Sequence, residues 1–192
     1  MIEDEVLEMM RAKGALLTGH FRLSSGRHSD RFVQKFRLLE DPQDAKRVGE
    51  LLAAMFPEGF EVVAAPAVGA IVLGFTTALA ARTRSIFSER VDGQMAFRRG
   101  FYLSPGERVL VVEDIITTGG SAREVVELVQ RSDALPIGVG ALIDRGDPAR
   151  VPLGIQLRAL VALEIQSWDP QSCPLCQQGI PLADPGSRRL QA

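Results

Sequence analysis

The sequence predicts an α/β fold: a mostly parallel central sheet flanked by helices, with a small hood formed by N-terminal residues. Apolar runs of strand length alternate with helix-length segments from residue 61 to 163. That order belongs to a parallel sheet whose crossovers are helices. The run at 109–112 is apolar at every position, as a strand buried on both faces requires. Residues 15–40 stand outside the alternation, polar and turn-rich.

Each element follows from local pattern. Ile2, Val6, Met9 and Met10 recur at helical spacing over residues 2–13, and Gly14 ends that helix. Short extended pieces are expected at 21–23 and 31–36. A second helix spans 42–56, with Pro42 in its first turn and Val48, Leu51, Leu52 and Met55 on one face. Strands are expected at 61–65, 85–88, 108–112, 136–143 and 157–163, with helices at 69–81 and 122–132. The segment after Trp168 is rich in Pro, Gly and Gln and reads as an irregular cap.

The 192 residues, 46% hydrophobic, suffice for one core. A single domain over 1–192 is expected, with the hood at about 14–40, the core at about 42–165 and the C-terminal cap at about 166–192. A net charge of −2 gives no global attraction to nucleic acid or anionic membrane, so any anion site is local. Three lysines stand against nineteen arginines, which favours forked phosphate contacts over lysine acid–base chemistry. The acidic N-terminus lacks the charge of a secretory leader, and Pro66, Gly69 and Gly74 interrupt the longest apolar stretch. A soluble cytoplasmic protein with neither membrane nor nucleic-acid partner is expected.

The most informative segment is RVLVVEDIITTGGS, from Arg108 to Ser121. An apolar strand runs into Glu113 and Asp114, then Ile115 and Ile116. Thr117, Thr118, Gly119, Gly120 and Ser121 follow before a helix. Glycines let backbone N–H groups approach an anion, hydroxyls add donors, and the helix dipole favours negative charge. Acids this close to a phosphate cradle suit ribose hydroxyls on the same ligand. Neither the P-loop nor the dinucleotide fingerprint is present.

This segment resembles the PRPP-binding motif of the type I phosphoribosyltransferases. The resemblance implies that Glu113 and Asp114 hold the ribose hydroxyls and that Thr118 to Ser121 hold the 5-phosphate. The whole run 113–121 then contacts PRPP. Residues 19–34, GHFRLSSGRHSDRFVQ, resemble the hood signature of the orotate phosphoribosyltransferases, in which Phe32 matches the aromatic that contacts the orotate ring. Thr117 matches a further orotate contact. Arg145, in ALIDRG after an apolar strand, matches the arginine that pairs with the orotate carboxylate, a task suited to its bidentate fork.

The same resemblance implies a Mg²⁺ cofactor carried by PRPP, with no protein side chain as its metal ligand, and a homodimer with shared active sites. The expected reaction converts orotate and PRPP to orotidine 5-phosphate and pyrophosphate, a step of pyrimidine biosynthesis. Orotate nitrogen is acidic enough to need no strong protein base. Two other readings share the fold: a purine phosphoribosyltransferase and a PRPP-sensing regulator. The hood and Arg145 disfavour the first, and the charge balance the second.

The chain departs from the family pattern in three places. Ser24 stands where many members carry lysine. Val68 and Gly69 follow Pro66-Ala67 where many carry Tyr-Lys. The segment 89–100, expected as a mobile loop, has Arg90, Arg98 and Arg99 but no histidine. These differences bear on the pyrophosphate contacts, for which Arg90 is the expected catalytic cation, reaching a neighbouring subunit.

His20 and His28, the only histidines, fall in the hood, where a structural role is the plainer reading. Cys173 and Cys176 have the spacing of half a zinc site. A closed zinc site needs four ligands, so this reading calls on a second subunit; free thiols packed in the tail are the alternative.

Overall fold

The structure is a computed structural model that describes residues 1–23, 25–146 and 150–185. Ser24 and the end of the expected cap lie outside the described residues. The elements in chain order are α1 (Ile2–Ala12), β1 (Leu16–Arg22), β2 (His28–Val33), α2 (Phe36–Leu39), α3 (Pro42–Ala54), β3 (Val62–Pro66), α4 (Ile71–Ala81), β4 (Arg84–Val91), β5 (Gln94–Phe97), β6 (Arg108–Ile116), α5 (Gly120–Arg131), β7 (Leu135–Asp144), β8 (Leu157–Ala162), β9 (Ser167–Trp168) and α6 (Pro174–Gln177).

Local chemistry sets the helix ends. Asp41 caps α3 by accepting from the Gln43 amide, and Pro42 follows in the first turn, where its missing N–H costs no helical bond. Acids fill the first turn of α1, favourable to the helix dipole.

The main sheet has six strands in the order β5-β4-β3-β6-β7-β8. Every pairing is parallel except that of β4 with β5. Side chains alternate across it. Val63, Leu110 and Val112 join α1, α3 and α4 in one core. Val62, Ala64, Val109 and Val111 join α5 and Met95 of β5 in the other. Strand order reverses about β3: the chain moves outward through α4 to β4, then returns to place β6 on the other flank. In open α/β sheets such a switch point opens a crevice at the carboxyl ends of the strands. Here it lies between the ends of β3 and β6.

A second sheet, order β1-β2-β9, forms the hood. β1 and β2 are a full hairpin with a register shift between Thr18 and Phe21, longer than the two short pieces expected. The tail is not irregular throughout. β9 adds an antiparallel strand to β2, and Ala183 bridges Phe21. Trp168 and Ser167 find partners in the hood's open edge, which sequence pattern over a two-residue strand does not reveal.

The segment 89–100 also differs from the expected loop. Its residues 89–97 belong to a hairpin whose two-residue turn is Asp92-Gly93, with φ of 48° and 82°. Positive φ at both positions is the type I′ geometry favoured by Asp-Gly. β4 pairs with β3 only as far as Ser88. The arm beyond it therefore projects past the sheet at the crevice end.

Candidate active site

β6 brings the acid pair to the crevice. Its pairing with β3 ends at Val111, whereas its pairing with β7 continues to Ile116. Glu113 and Asp114 thus sit on a strand that has lost its neighbour on the crevice side. Both are buried. Alternation turns Asp114 to the face of α4 and the hood, and Glu113 to the face of α5.

Lys35, at the start of α2, pairs with Asp114 Oδ2. Asp114 Oδ1 accepts from the Ile115 amide at 2.5 Å, so both carboxylate oxygens are engaged. Lys35 also lies 5.2 Å from the Phe36 ring centroid. This lysine was not among the candidate residues, although it is one of only three in the chain. Its position explains Gly69. A Cβ at residue 69 would stand 2.0 Å from Asp114 Oδ2 and 2.6 Å from Lys35 Nζ. The ammonium from the hood fills the space that a side chain at 69 would need.

Burial, and then the neighbouring Asp114, push Glu113 up to about 8. Between the ordinary value of 4.5 and about 8 the folded chain holds a proton that the unfolded chain has released. Stability from this group is complete below pH 4.5 and is lost as pH rises through about 8. Glu113→Gln removes the titration. Over that window the ligand-free wild type should lose stability relative to the variant, by at most about 1.4 kcal/mol per pH unit. Parallel pH profiles of the urea midpoint would contradict this.

The glycine-rich loop follows β6 directly. Thr117 and Thr118 turn, Gly119 takes φ of 79° at the N-cap, and α5 starts at Gly120. The helix begins two residues before the expected start, so Gly120 and Ser121 are its first turn and offer orphan N–H groups to an anion. Behind the loop, Val151 N donates to Thr118 O at 2.8 Å, and Leu153 backs Gly119.

The remaining candidates are spread around this centre. Arg145 follows β7, and its backbone N–H donates to Ile116 O at 2.9 Å. It is therefore anchored beside the end of β6. Phe32 lies in β2 of the hood, with its ring centroid 5.8 Å from that of Phe21. Arg90 sits on the projecting arm, paired with Glu124 of α5 at 2.9 Å. Arg99 pairs with Glu89 at 2.7 Å. Cys173 and Cys176 meet both histidines rather than standing apart from them.

The fold is that of a phosphoribosyltransferase. Residues 38–168 match the phosphoribosyl transferase domain family. The orotate phosphoribosyltransferase of Pelotomaculum thermopropionicum is 47% identical over 99% of this chain and 100% of its own length. That of Thermotoga maritima is 46% identical over 97% of this chain and 100% of its own length. The crystal structure of orotate phosphoribosyltransferase from Aeropyrum pernix superposes with a TM-score of 0.71 at 25% identity, covering 83% of this chain and 94% of that one. The chain belongs to the orotate phosphoribosyltransferases.

Proposed function

We propose that the crevice between β3 and β6 transfers the 5-phosphoribosyl group of PRPP to orotate, yielding orotidine 5-phosphate and pyrophosphate. One observation carries the reading. The switch point sets an acid pair and a glycine-rich helix start within one short stretch, residues 113–121, at a single strand end, an order that suits ribose hydroxyls and a 5-phosphate on one ligand.

The residues take these roles. Backbone N–H groups and hydroxyls of residues 117–121 hold the 5-phosphate. Glu113 and Asp114 accept from the ribose hydroxyls, and Lys35 holds Asp114 in place. The bond from C1 to the pyrophosphate oxygen breaks with its electron pair on oxygen, as the orotate nitrogen bonds to C1 from the opposite face. Positive charge that develops on the ribose lies near the Asp114 carboxylate, and a fixed charge of this kind needs no reorganisation during reaction. Arg90 neutralises the departing pyrophosphate. An arginine cannot give up its proton, so its part is electrostatic.

The donor set suits a Mg²⁺ ion that arrives on PRPP. Asp114 is already paired with Lys35 and Glu113 is buried, too few free oxygens for a protein cage but compatible with contacts through substrate and water. Glu113 and Asp114 would hold it through the ribose hydroxyls. When bound, the ion supplies charge neutralisation at the pyrophosphate. Among the described residues no helix is long and apolar enough to cross a membrane. We place the reaction in the cytoplasm, a reducing setting that suits cysteines outside any disulfide, as Cys173 and Cys176 are.

Arg145 pairs with the orotate carboxylate, and Phe32 and Thr117 complete that subsite. Arg145→Ala should raise the orotate KM roughly 10–100-fold, the range of a lost charged hydrogen bond, and leave the PRPP KM within a factor of three or so. Equal effects on both substrates would remove Arg145 from the orotate subsite.

A homodimer is part of this reading. Val68, just before α4, and Val72, Phe75 and Leu79 along it are exposed apolar residues that share one face. It begins beside Gly69, next to the acid pair, so a second copy seated there meets the mouth of the site. The projecting arm of one copy then brings Arg90 to its partner's crevice. Arg90→Ala and Asp114→Asn subunits, each inactive alone, should regain activity when mixed, because one hybrid site keeps both groups. Verified mixed dimers without recovery would defeat the shared site.

A further inference from the structure

We propose that His20, His28, Cys173 and Cys176 form a structural zinc site that fastens the C-terminal cap to the hood within one chain. The four ligand atoms lie within 4.8 Å of one another. His20 Nε2 and His28 Nδ1 are 3.0 Å apart. Cys173 Sγ is 3.5 Å and Cys176 Sγ 3.7 Å from His20 Nε2, and Cys176 Sγ is 3.3 Å from His28 Nδ1. A tetrahedron built on Zn–S of about 2.3 Å and Zn–N of about 2.05 Å has edges of roughly 3.3 Å between nitrogens and 3.6 Å between nitrogen and sulfur. These four separations lie within about 0.4 Å of those edges, and all six lie within 4.8 Å.

The tautomers agree. His20 Nδ1 lies 2.7 Å from the Ile180 carbonyl, so this nitrogen carries the proton and donates. Nε2 therefore presents its lone pair to the cluster, the arrangement that orients metal-bound imidazoles elsewhere. Three of the four residues are buried, and the cysteines have the C-x-x-C spacing of zinc knuckles.

The site has a physical task. β9 contributes only two residue pairs to the hood, His28 with Trp168 and Ser29 with Ser167. α6 has no buried residue. Beyond the cluster, the described residues are held by the Ile180 carbonyl on His20, the bridge of Ala183 with Phe21 and the Arg22–Asp184 ion pair. The tail thus lacks an apolar core of its own. Zinc binding releases two thiol protons to solvent and joins residues 20 and 28 to 173 and 176 with no change of oxidation state. A site of this kind converts binding energy into folding energy.

The test is elemental analysis of untagged protein purified without chelator, with cobalt(II) exchange as a second readout. One zinc per chain is expected. The cobalt form should show the intense visible bands of a tetrahedral thiolate site. His20→Asn and Cys176→Ser should each lose the metal and expose residues 166–185 to limited proteolysis. Trace zinc only, together with no cobalt spectrum in folded wild-type protein, would overturn the proposal. So would half an equivalent of zinc that survives His20→Asn, since that points to four cysteines pooled by two chains.

Discussion

Gly69→Ala should lower kcat/KM by about 100-fold while leaving the fold intact. The added methyl would stand 2.0 Å from Asp114 Oδ2 and 2.6 Å from Lys35 Nζ. Both atoms end side chains, so they can swing aside without moving a strand. The Lys35–Asp114 pair must break to let them do so. Asp114 then loses the orientation that fits it to the ribose, and one preorganised electrostatic group is worth about 10²–10³ in rate. Lys35→Ala should give a similar loss. The double variant should be little worse than either single one, because both changes remove the same interaction. Full activity in Gly69→Ala would show that the pair is not part of the machinery.

Gly119→Val should abolish PRPP binding in the micromolar range. Gly119 has φ of 79°, and its Cβ would meet Leu153 Cδ2 at 3.2 Å. A β-branched residue pays about 1–2 kcal/mol for that conformation and adds a contact that Leu153 must yield to. The turn relaxes, and the N–H groups of α5 no longer converge on the 5-phosphate. Titration calorimetry checks this. An affinity for PRPP within a few-fold of wild type would place the phosphate elsewhere.

The strand, glycine-rich turn and helix after Arg108 were legible in the sequence because strand, acids, glycines and helix start follow one another in a single stretch. The error there was small: Gly120 and Ser121 read as loop because both are weak helix formers, yet a first turn tolerates them. The arm at 89–97 carried its own turn signal in Asp92-Gly93, which the surrounding charges obscured. What the sequence hid were contacts between distant segments. Lys35 reaches Asp114 across 79 positions, and Cys173 reaches His20 across 153. No local period or spacing encodes such a meeting. The two histidines looked structural in a turn-rich hood, and the cysteine pair looked incomplete, until β9 brought the tail against β2.

The central claim is that this crevice joins PRPP to orotate, and one measurement tests it most directly. The loss of orotate absorbance is followed with PRPP and Mg²⁺, with pyrophosphate release in parallel, beside adenine, hypoxanthine and uracil as competing bases. The account predicts orotate turnover in step with pyrophosphate, strongly reduced by Asp114→Asn, and negligible turnover of the other bases. Faster consumption of a purine, or orotate turnover undiminished in Asp114→Asn, would contradict it.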